Sequence, residues 1–347
     1  MERIYEIISS ALENGTKLPA DFNILRIAQG EAYPPPADGT DRTFTDDGVR
    51  EGEFDAVITR IPARFTQHLV VNMYAAIVLK KGVAAYDKIK KGETDEKKIN
   101  ACNKKIESAK AVIEKYEPIT IADKVLSQMV SIKTPRDQIA EFGRYLAKEG
   151  KTVNQVKLGI AMIGFFGTPE DKDTVILLGR CGEFAFFASK ALSTLLKDEN
   201  EFVDACMEIV RANDGWGKIS ALIDLPDKIG NEEHKRWLIA HGNECSLGLY
   251  HLAVECAVKG DLGGLLLGCV NDKTHIDQEL ANGICNIIEG LFQAEKISGA
   301  DSFSEINDVG TMLSSFAYCV RAGYLTGNDR AQALVDKLVE SKYIRKA

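Results

Sequence analysis

Histidine and cysteine residues come closest together in one short segment. Its members are His234, His241, Cys245, His251 and Cys256. A zinc or iron site needs three or four such side chains converging at about 2.0 to 2.3 Å from the metal. His241 and Cys245 are separated by Gly242 and Asn243, which predict a turn and not a shared helix face. We therefore expect packed thiols and a surface histidine here, and no metal.

A glycine-rich segment resembles half of a phosphate-binding loop. It runs Gly215-Trp216-Gly217-Lys218-Ile219-Ser220. It lacks the first glycine at the right distance, a Ser or Thr directly after the lysine, and a preceding strand. The sequence contains neither Gly-x-Ser-x-Gly nor His-Glu-x-x-His. We predict a hinge between two helices, no catalytic residue and no cofactor.

An acidic, proline-rich loop is predicted over residues 31-55. It includes three consecutive prolines, which no helix crosses, and it carries eight acidic residues against two arginines. The acids do not follow the regular ligand spacing of a calcium loop and lack its closing glutamate. A solvated acidic loop is the favoured interpretation, with calcium as the alternative.

Lysines gather around the tip of a predicted helical hairpin. They are Lys88, Lys90, Lys91, Lys97, Lys98, Lys104 and Lys105. Neighbouring acidic residues, among them Asp87 and Glu93, reduce the positive electrostatic potential of these lysines. The sequence leaves two interpretations open: a solvated tip, or contact with an acidic partner or a membrane surface.

The elements that position these residues are helices. Apolar residues recur at three and four positions along most of the chain, which predicts an all-α fold. A long helical hairpin is predicted over residues 64-117, where an apolar seam from Ile99 to Ile113 matches a stripe that includes Met73, Ala76 and Val83. The seam packs on the preceding helix or, alternatively, forms a dimerising coiled coil.

An internal repeat begins at residue 134. Thr134-Pro135-Arg136-Asp137 returns after 34 residues as Thr168-Pro169-Glu170-Asp171. Both predict a helix start, with Thr as the N-cap and Pro in the first turn. Further pairs of helical patterns start near Glu201 and Asn231. Four helical hairpins at intervals of about 33 residues are typical of a stacked α-solenoid.

This repeat resembles the HEAT-like α-helical repeats of the armadillo superfamily between Thr134 and about Gly268. The stretch from Leu178 to Leu192 carries most of the likeness, with small residues at Ala188 and Ala191 where neighbouring repeats approach. A generic helical-hairpin array is the alternative. The resemblance implies an α-α superhelix over residues 134-347, with irregular capping helices at its C-terminal end. Residues 1-133 then form an irregular helical N-terminal region.

The predicted function is a non-enzymatic interaction or scaffolding protein that presents a concave surface to a protein partner. In such a stack the second helix of each pair faces the concave side. The candidate binding residues there are Glu183, Trp216, Tyr250 and His251. HEAT-like families also include DNA-alkylation glycosylases and bilin lyase subunits. The alternative is therefore an enzyme or enzyme subunit with a small-molecule or modified-base pocket.

Charge and cysteine usage bear on the partner and the compartment. The 347 residues carry a formal charge of −8, which disfavours nucleic acid as the partner. Eight cysteines are scattered singly, which predicts reduced, buried thiols. The N-terminus has no secretory signal pattern, and no apolar stretch is long enough to span a membrane. We expect a cytoplasmic protein.

Overall fold

The computed structural model divides the chain into two compact units, residues 1-224 and 225-347. The predicted boundary at 133/134 falls inside the first unit. The acidic loop at 31-55 lies outside the residues that the structure describes. Those residues are 2-12, 15-19, 22-28, 68-116, 118-298, 301-325 and 329-344.

The prediction of an all-α fold is confirmed. The described residues form seventeen α-helices and no strand, with one isolated bridge between Ile276 and Leu325. The helices of the first unit are α1 (Ile4–Leu12), α2 (Ile24–Ala28), α3 (His68–Lys90), α4 (Glu96–Lys115), α5 (Pro118–Ser131), α6 (Arg136–Glu149), α7 (Val153–Phe166), α8 (Lys172–Gly179), α9 (Gly182–Leu195), α10 (Glu199–Ala212) and α11 (Gly215–Ile223).

Helices α3 and α4 pack together as the predicted hairpin. Gly92 makes the turn at φ +88°. Asp95 caps α4 by accepting a hydrogen bond from the N–H of Lys97 at 2.9 Å. The α4 seam is buried against α3, and a Cβ added at Gly82 would meet the Ala109 Cβ at 2.5 Å. Since the seam is occupied within the chain, it is not left free for a dimerising coiled coil.

Three further helical hairpins follow, α6/α7, α8/α9 and α10/α11. Their second helices form a continuous series, since α7 packs against α9 and α9 packs against α11. Among the first helices, α8 packs against α10. Successive hairpins therefore pack on one another within this unit, as the repeat predicted, while a superhelix remains a prediction.

An ion pair joins the first two of these hairpins. Arg144 on α6 donates from Nε to Asp171 Oδ1 at 2.7 Å and from Nη2 to Asp171 Oδ2 at 2.8 Å. Asp171 Oδ2 also accepts a hydrogen bond from the backbone N–H of Thr168 at 3.0 Å. The repeated Thr-Pro start therefore acts differently in its two copies. Thr134 does not cap α6: Pro135 is its N-cap residue, and the buried Thr134 hydroxyl has no hydrogen-bond partner among the described residues.

The second unit is also helical but less regular. A short helix continues as a single π-turn over Leu238–Gly242, so the fourth predicted hairpin is interrupted where a plain turn was expected. The stretch Leu262–Asp272 forms a helix that we did not predict. The helices are α12 (Glu232–Trp237), α13 (Ala253–Lys259), α14 (Leu262–Asp272), α15 (Gln278–Ser298), α16 (Val309–Arg321) and α17 (Asp329–Glu340).

Candidate functional site

The four predicted binding residues belong to different units. Glu183 and Trp216 lie in the first unit, at the starts of α9 and α11. Tyr250 and His251 lie in the second unit. Each pair is therefore considered within its own unit.

Glu183 is buried and takes part in an internal ion pair. Its side chain is 7% exposed, and its Oε1 accepts a hydrogen bond from Lys157 Nζ on α7, whose side chain is 5% exposed. The Lys157 ammonium also lies 6.0 Å from the centre of the Phe187 ring. Burying a charge is costly unless it is paired, so each residue needs the other. Glu183 thus contributes to the contact between α7 and α9 and is not presented at the surface.

The second helices are buried because glycines allow them to approach closely. A Cβ added at Gly217 on α11 would lie 2.7 Å from the Cα of Gly182 on α9. Within α7, the only exposed side chain is Phe165, near the C-terminal end. We expected these helices to line an open inner face. Most of their side chains are instead packed into the unit.

Five residues of α7, α9 and α11 are exposed, among them Ser193 and Thr194 on α9. We call the other three, one from each helix, the second-helix rim. It consists of Phe165 on α7, Lys190 on α9 and Ile223 on α11. Phe165 and Ile223 are 49% and 44% exposed, and the Lys190 side chain is 51% exposed. Two contacts place these three residues beside one another along the layer. Gly164, next to Phe165, packs on Ala191, next to Lys190. Asp224, next to Ile223, accepts hydrogen bonds from Ser189 and Lys190, both at 2.6 Å.

Trp216 is half-buried in the first turn of α11. Its carbonyl oxygen accepts from the Ser220 hydroxyl at 2.8 Å, within the helix. Asp214 caps the helix, accepting from the Gly215 N–H at 2.7 Å, and Lys218 is buried. The segment that resembled a phosphate loop is therefore a helix start, with a capping carboxylate where an anion would have to bind.

Tyr250 and His251 lie in a 3₁₀ turn, Leu249–His251, and not on the helix where we expected them. Their ring centres are 4.0 Å apart at 34°. Both side chains are partly exposed, and burial lowers the pKa of His251, which favours its neutral form. The two rings form an amphipathic surface element suited to contact with a partner.

The histidine and cysteine group does not converge on a metal position. His241 Nε2 lies 3.0 Å from Glu279 Oε1, and the His241 ring packs 5.9 Å from that of Trp237. Cys256 is buried, whereas Cys245 is half-exposed. Across the described ranges, no group of three or more histidine, cysteine, aspartate or glutamate side chains could hold a metal ion.

The second unit contains a cleft of about 590 Å³ where α14 and α16 begin. Buried Lys259 is one of its lining residues, and its charge is neutralised, since its Nζ lies 3.0 Å from Glu255 Oε2 and 3.4 Å from Asp227 Oδ1. Its Nζ also donates to the Leu225 carbonyl at 2.5 Å. The charged lining residues are Asp227, Lys228, Lys235, Lys259, Asp261 and Asp308, and none of the described lining residues is aromatic.

Sequence reasoning missed Lys157 and Arg144, the partners that give Glu183 and Asp171 their roles. A signal existed for Lys157, because it is the only charged residue in the otherwise largely apolar helix α7. A lone charge within a buried helix predicts a buried partner. No comparable signal marks Arg144, which lies 27 residues from Asp171 on an ordinary amphipathic helix.

Comparisons with known proteins add no family. No family model, no curated protein and no solved structure matches the chain. Across the described part of the chain, we find no helix with the length and apolar character needed to cross a bilayer.

Proposed function

We propose that this protein is a non-enzymatic interaction or scaffolding protein whose stacked, HEAT-like helical hairpins present a binding surface to another protein. The observation that carries the proposal is the second-helix rim. Three consecutive second helices each contribute one exposed residue to it, namely Phe165, Lys190 and Ile223. Stacked hairpins are rigid and extend in one direction, which suits them to holding such residues at fixed spacing.

The chemistry of the rim suits a protein partner. Two exposed apolar side chains flank a lysine whose ammonium lies 5.6 Å from the ring of half-buried Phe186. Large apolar side chains exposed on neighbouring parts of one surface, with a charged residue between them, are a feature of protein contact surfaces. Solvent alone gives no reason for Phe165 to occupy the exposed end of a helix that is otherwise buried. The partner site is therefore the rim and not buried Glu183.

The alternative, an enzyme with a small-molecule pocket, has one supporting feature: the cleft in the second unit. A pocket for such chemistry combines a carboxylate with aromatic neighbours or an unsatisfied polar group. The cleft has carboxylates, but its described lining contains no aromatic side chain, and the Lys259 ammonium is already bonded to two carboxylates and a carbonyl. The interaction protein is accordingly the favoured function.

The experiment compares partners recovered with three forms of the full chain. One is the wild type, and the second carries Phe165→Ser and Ile223→Ser. The third is a matched control, Ile297→Ser and Tyr318→Ser, which removes two apolar side chains that are 62% and 49% exposed in the second unit. Each form is used as bait in the organism's own extract, and bound proteins are quantified by mass spectrometry.

The proposal predicts proteins whose recovery falls about tenfold or more with the rim variant and stays unchanged with the control. Thermal melts of all three forms must agree within a few degrees, since exposed positions contribute little to stability. Equal recovery with the rim variant and the control would reject the rim as the binding surface.

We also propose that the protein functions in the cytoplasm. All eight cysteines are free, and seven of them are buried, in keeping with a reducing compartment.

A further inference from the structure

Helix α4 carries a regular row of residues on the side opposite its buried seam. The row alternates steps of four and three residues, so its members lie along one face of the helix. All of them are exposed. We call this row the lysine face; it consists of Lys97, Ala101, Lys104, Ser108, Ala111 and Lys115.

The charges of the lysine face are largely unneutralised. Lys97 and Lys104 make no ion pair with any residue in the described part of the chain. Lys115 lies 5.6 Å from the Tyr116 ring, which leaves its charge uncompensated. Some other lysines of the hairpin are paired, for instance Lys91 with Asp87 at 2.7 Å. Three of the hairpin lysines that form no ion pair with a described residue therefore lie in one row on this face.

The part of the hairpin that carries the lysine face also departs from the charge of the chain as a whole. Residues 80-115 contain eleven lysines and six acidic residues, a net charge of +5 in a protein whose formal net charge is −8. The positions between the lysines are small, and the Ser108 hydroxyl donates to the carbonyl of Lys104 at 2.8 Å, so it does not project outward. A second helix could approach this face closely between the lysines.

We propose that the lysine face binds an acidic α-helix of another protein. Lys97 to Lys115 span about 27 Å of helix, five turns. Carboxylates on a partner helix with the same alternating spacing would meet the three ammonium groups, while its backbone packs over the small residues. This inference does not depend on the second-helix rim, which lies on other helices, so either can fail alone.

Other occupants fit the face less well. A membrane-surface helix inserts bulky apolar side chains between its cations, whereas this face has alanine and serine there. A nucleic-acid surface uses arginine heavily, and residues 80-115 contain none. A second copy placed face to face would bring like charges together.

The test uses a synthetic acidic peptide of about 28 residues, long enough to form a helix. Among its a and d positions, glutamate occupies those that lie opposite Lys97, Lys104 and Lys115, and alanine occupies those opposite the small residues. A scrambled peptide has the same composition without this spacing. Binding to the full chain is measured by fluorescence anisotropy at two salt concentrations. Vesicles of phosphatidylcholine with phosphatidylserine and a short DNA duplex serve as competing probes.

Two variants remove the positive charges of the lysine face. One is Lys97→Glu with Lys104→Glu and Lys115→Glu. The other changes the same three residues to alanine, which has a high helix propensity. The matched control is Lys17→Glu with Lys151→Glu and Lys197→Glu, three exposed lysines elsewhere in the first unit. It changes the net charge by the same amount without touching the face. Circular dichroism verifies that each variant is folded.

The expected result is binding of the repeat peptide that weakens with salt and falls about tenfold or more in both face variants. The control keeps wild-type affinity, and the scrambled peptide binds at least about tenfold more weakly. The proposal is overturned if neither peptide binds or if the scrambled peptide binds equally well. It is likewise overturned if vesicles or the duplex bind more tightly than the repeat peptide in a manner that the face variants abolish.

Discussion

Gly164 on α7 packs directly against Ala191 on α9, so closely that a Cβ at position 164 would lie 2.8 Å from the Ala191 Cα. This contact brings the two second helices together and buries their facing side chains. It also places Phe165 and Lys190, the neighbours of these two residues in sequence, beside each other at the surface. The second-helix rim therefore depends on a glycine, which has no side chain, at position 164.

Replacing Gly164 with alanine should destabilise the first unit by about 1 to 3 kcal/mol, because the new methyl group has no space. The matched control is Gly268→Ala, since a Cβ there meets nothing within 4 Å. That change should be neutral or stabilising by up to about 1 kcal/mol, as alanine favours helix. Denaturant unfolding followed by circular dichroism measures both. Equal effects of the two changes would mean that the α7 and α9 contact is looser than described.

The buried pair of Lys157 and Glu183 makes a second prediction. Changing Glu183 to glutamine leaves the Lys157 ammonium buried without a counter-charge, at a cost of about 3 to 5 kcal/mol. Replacing both residues, as Lys157→Met with Glu183→Leu, should recover most of that loss, because apolar residues pack well in such a site. The double-variant cycle is measured by chemical denaturation. A single variant that costs less than about 1 kcal/mol would show that Glu183 is accessible to water after all.

The pair of Arg144 and Asp171 predicts an acid-dependent loss of stability. Burial alone would raise the pKa of Asp171, but hydrogen bonds from Arg144 and the Thr168 N–H outweigh it and hold the pKa below the usual value. A carboxylate with a lowered pKa stabilises the fold above its unfolded pKa near 4 and loses that contribution as the pH falls through the folded pKa.

Asp171→Asn should therefore destabilise the protein by about 2 to 3 kcal/mol at neutral pH and remove part of the acid dependence. The free energy of unfolding of the variant and of the wild type is measured at several pH values between about 3 and 7, and the two profiles are compared. Parallel pH profiles for the variant and the wild type would exclude Asp171 as a source of the acid sensitivity.

Several of these features follow from sequence, and others do not. The spacing of apolar residues predicted the helices and the α3/α4 hairpin, because helical periodicity is a local property. The α7 and α9 contact was signalled by the small residue Ala191. The burial of Glu183 was not predictable, since it depends on Lys157, 26 residues away. Met73, assigned to the packed stripe, is 41% exposed, because periodicity does not fix where a stripe ends.

The cysteines give a prediction about thiol reactivity. Burial raises the pKa of Cys285 and of Cys319 to about 11 in each case. The thiolate is the reactive form, so neither should react with an alkylating reagent at neutral pH while the protein is folded. Half-exposed Cys245 should be alkylated first. Timed labelling with peptide mass spectrometry measures the order, and labelling of Cys285 ahead of Cys245 would contradict the packing of α15.

Site-specific photo-crosslinking tests the proposed interaction surface most directly. A photoreactive amino acid is placed at Phe165, Lys190 or Ile223 of the full chain in the organism's own cells, with Lys151 as an exposed control position outside the rim. The proposal predicts crosslinks from all three rim positions to the same partner protein, and none to it from the control. Crosslinks that are absent from the rim, or equally strong at position 151, would contradict the claim that the edge of the stacked second helices binds a protein.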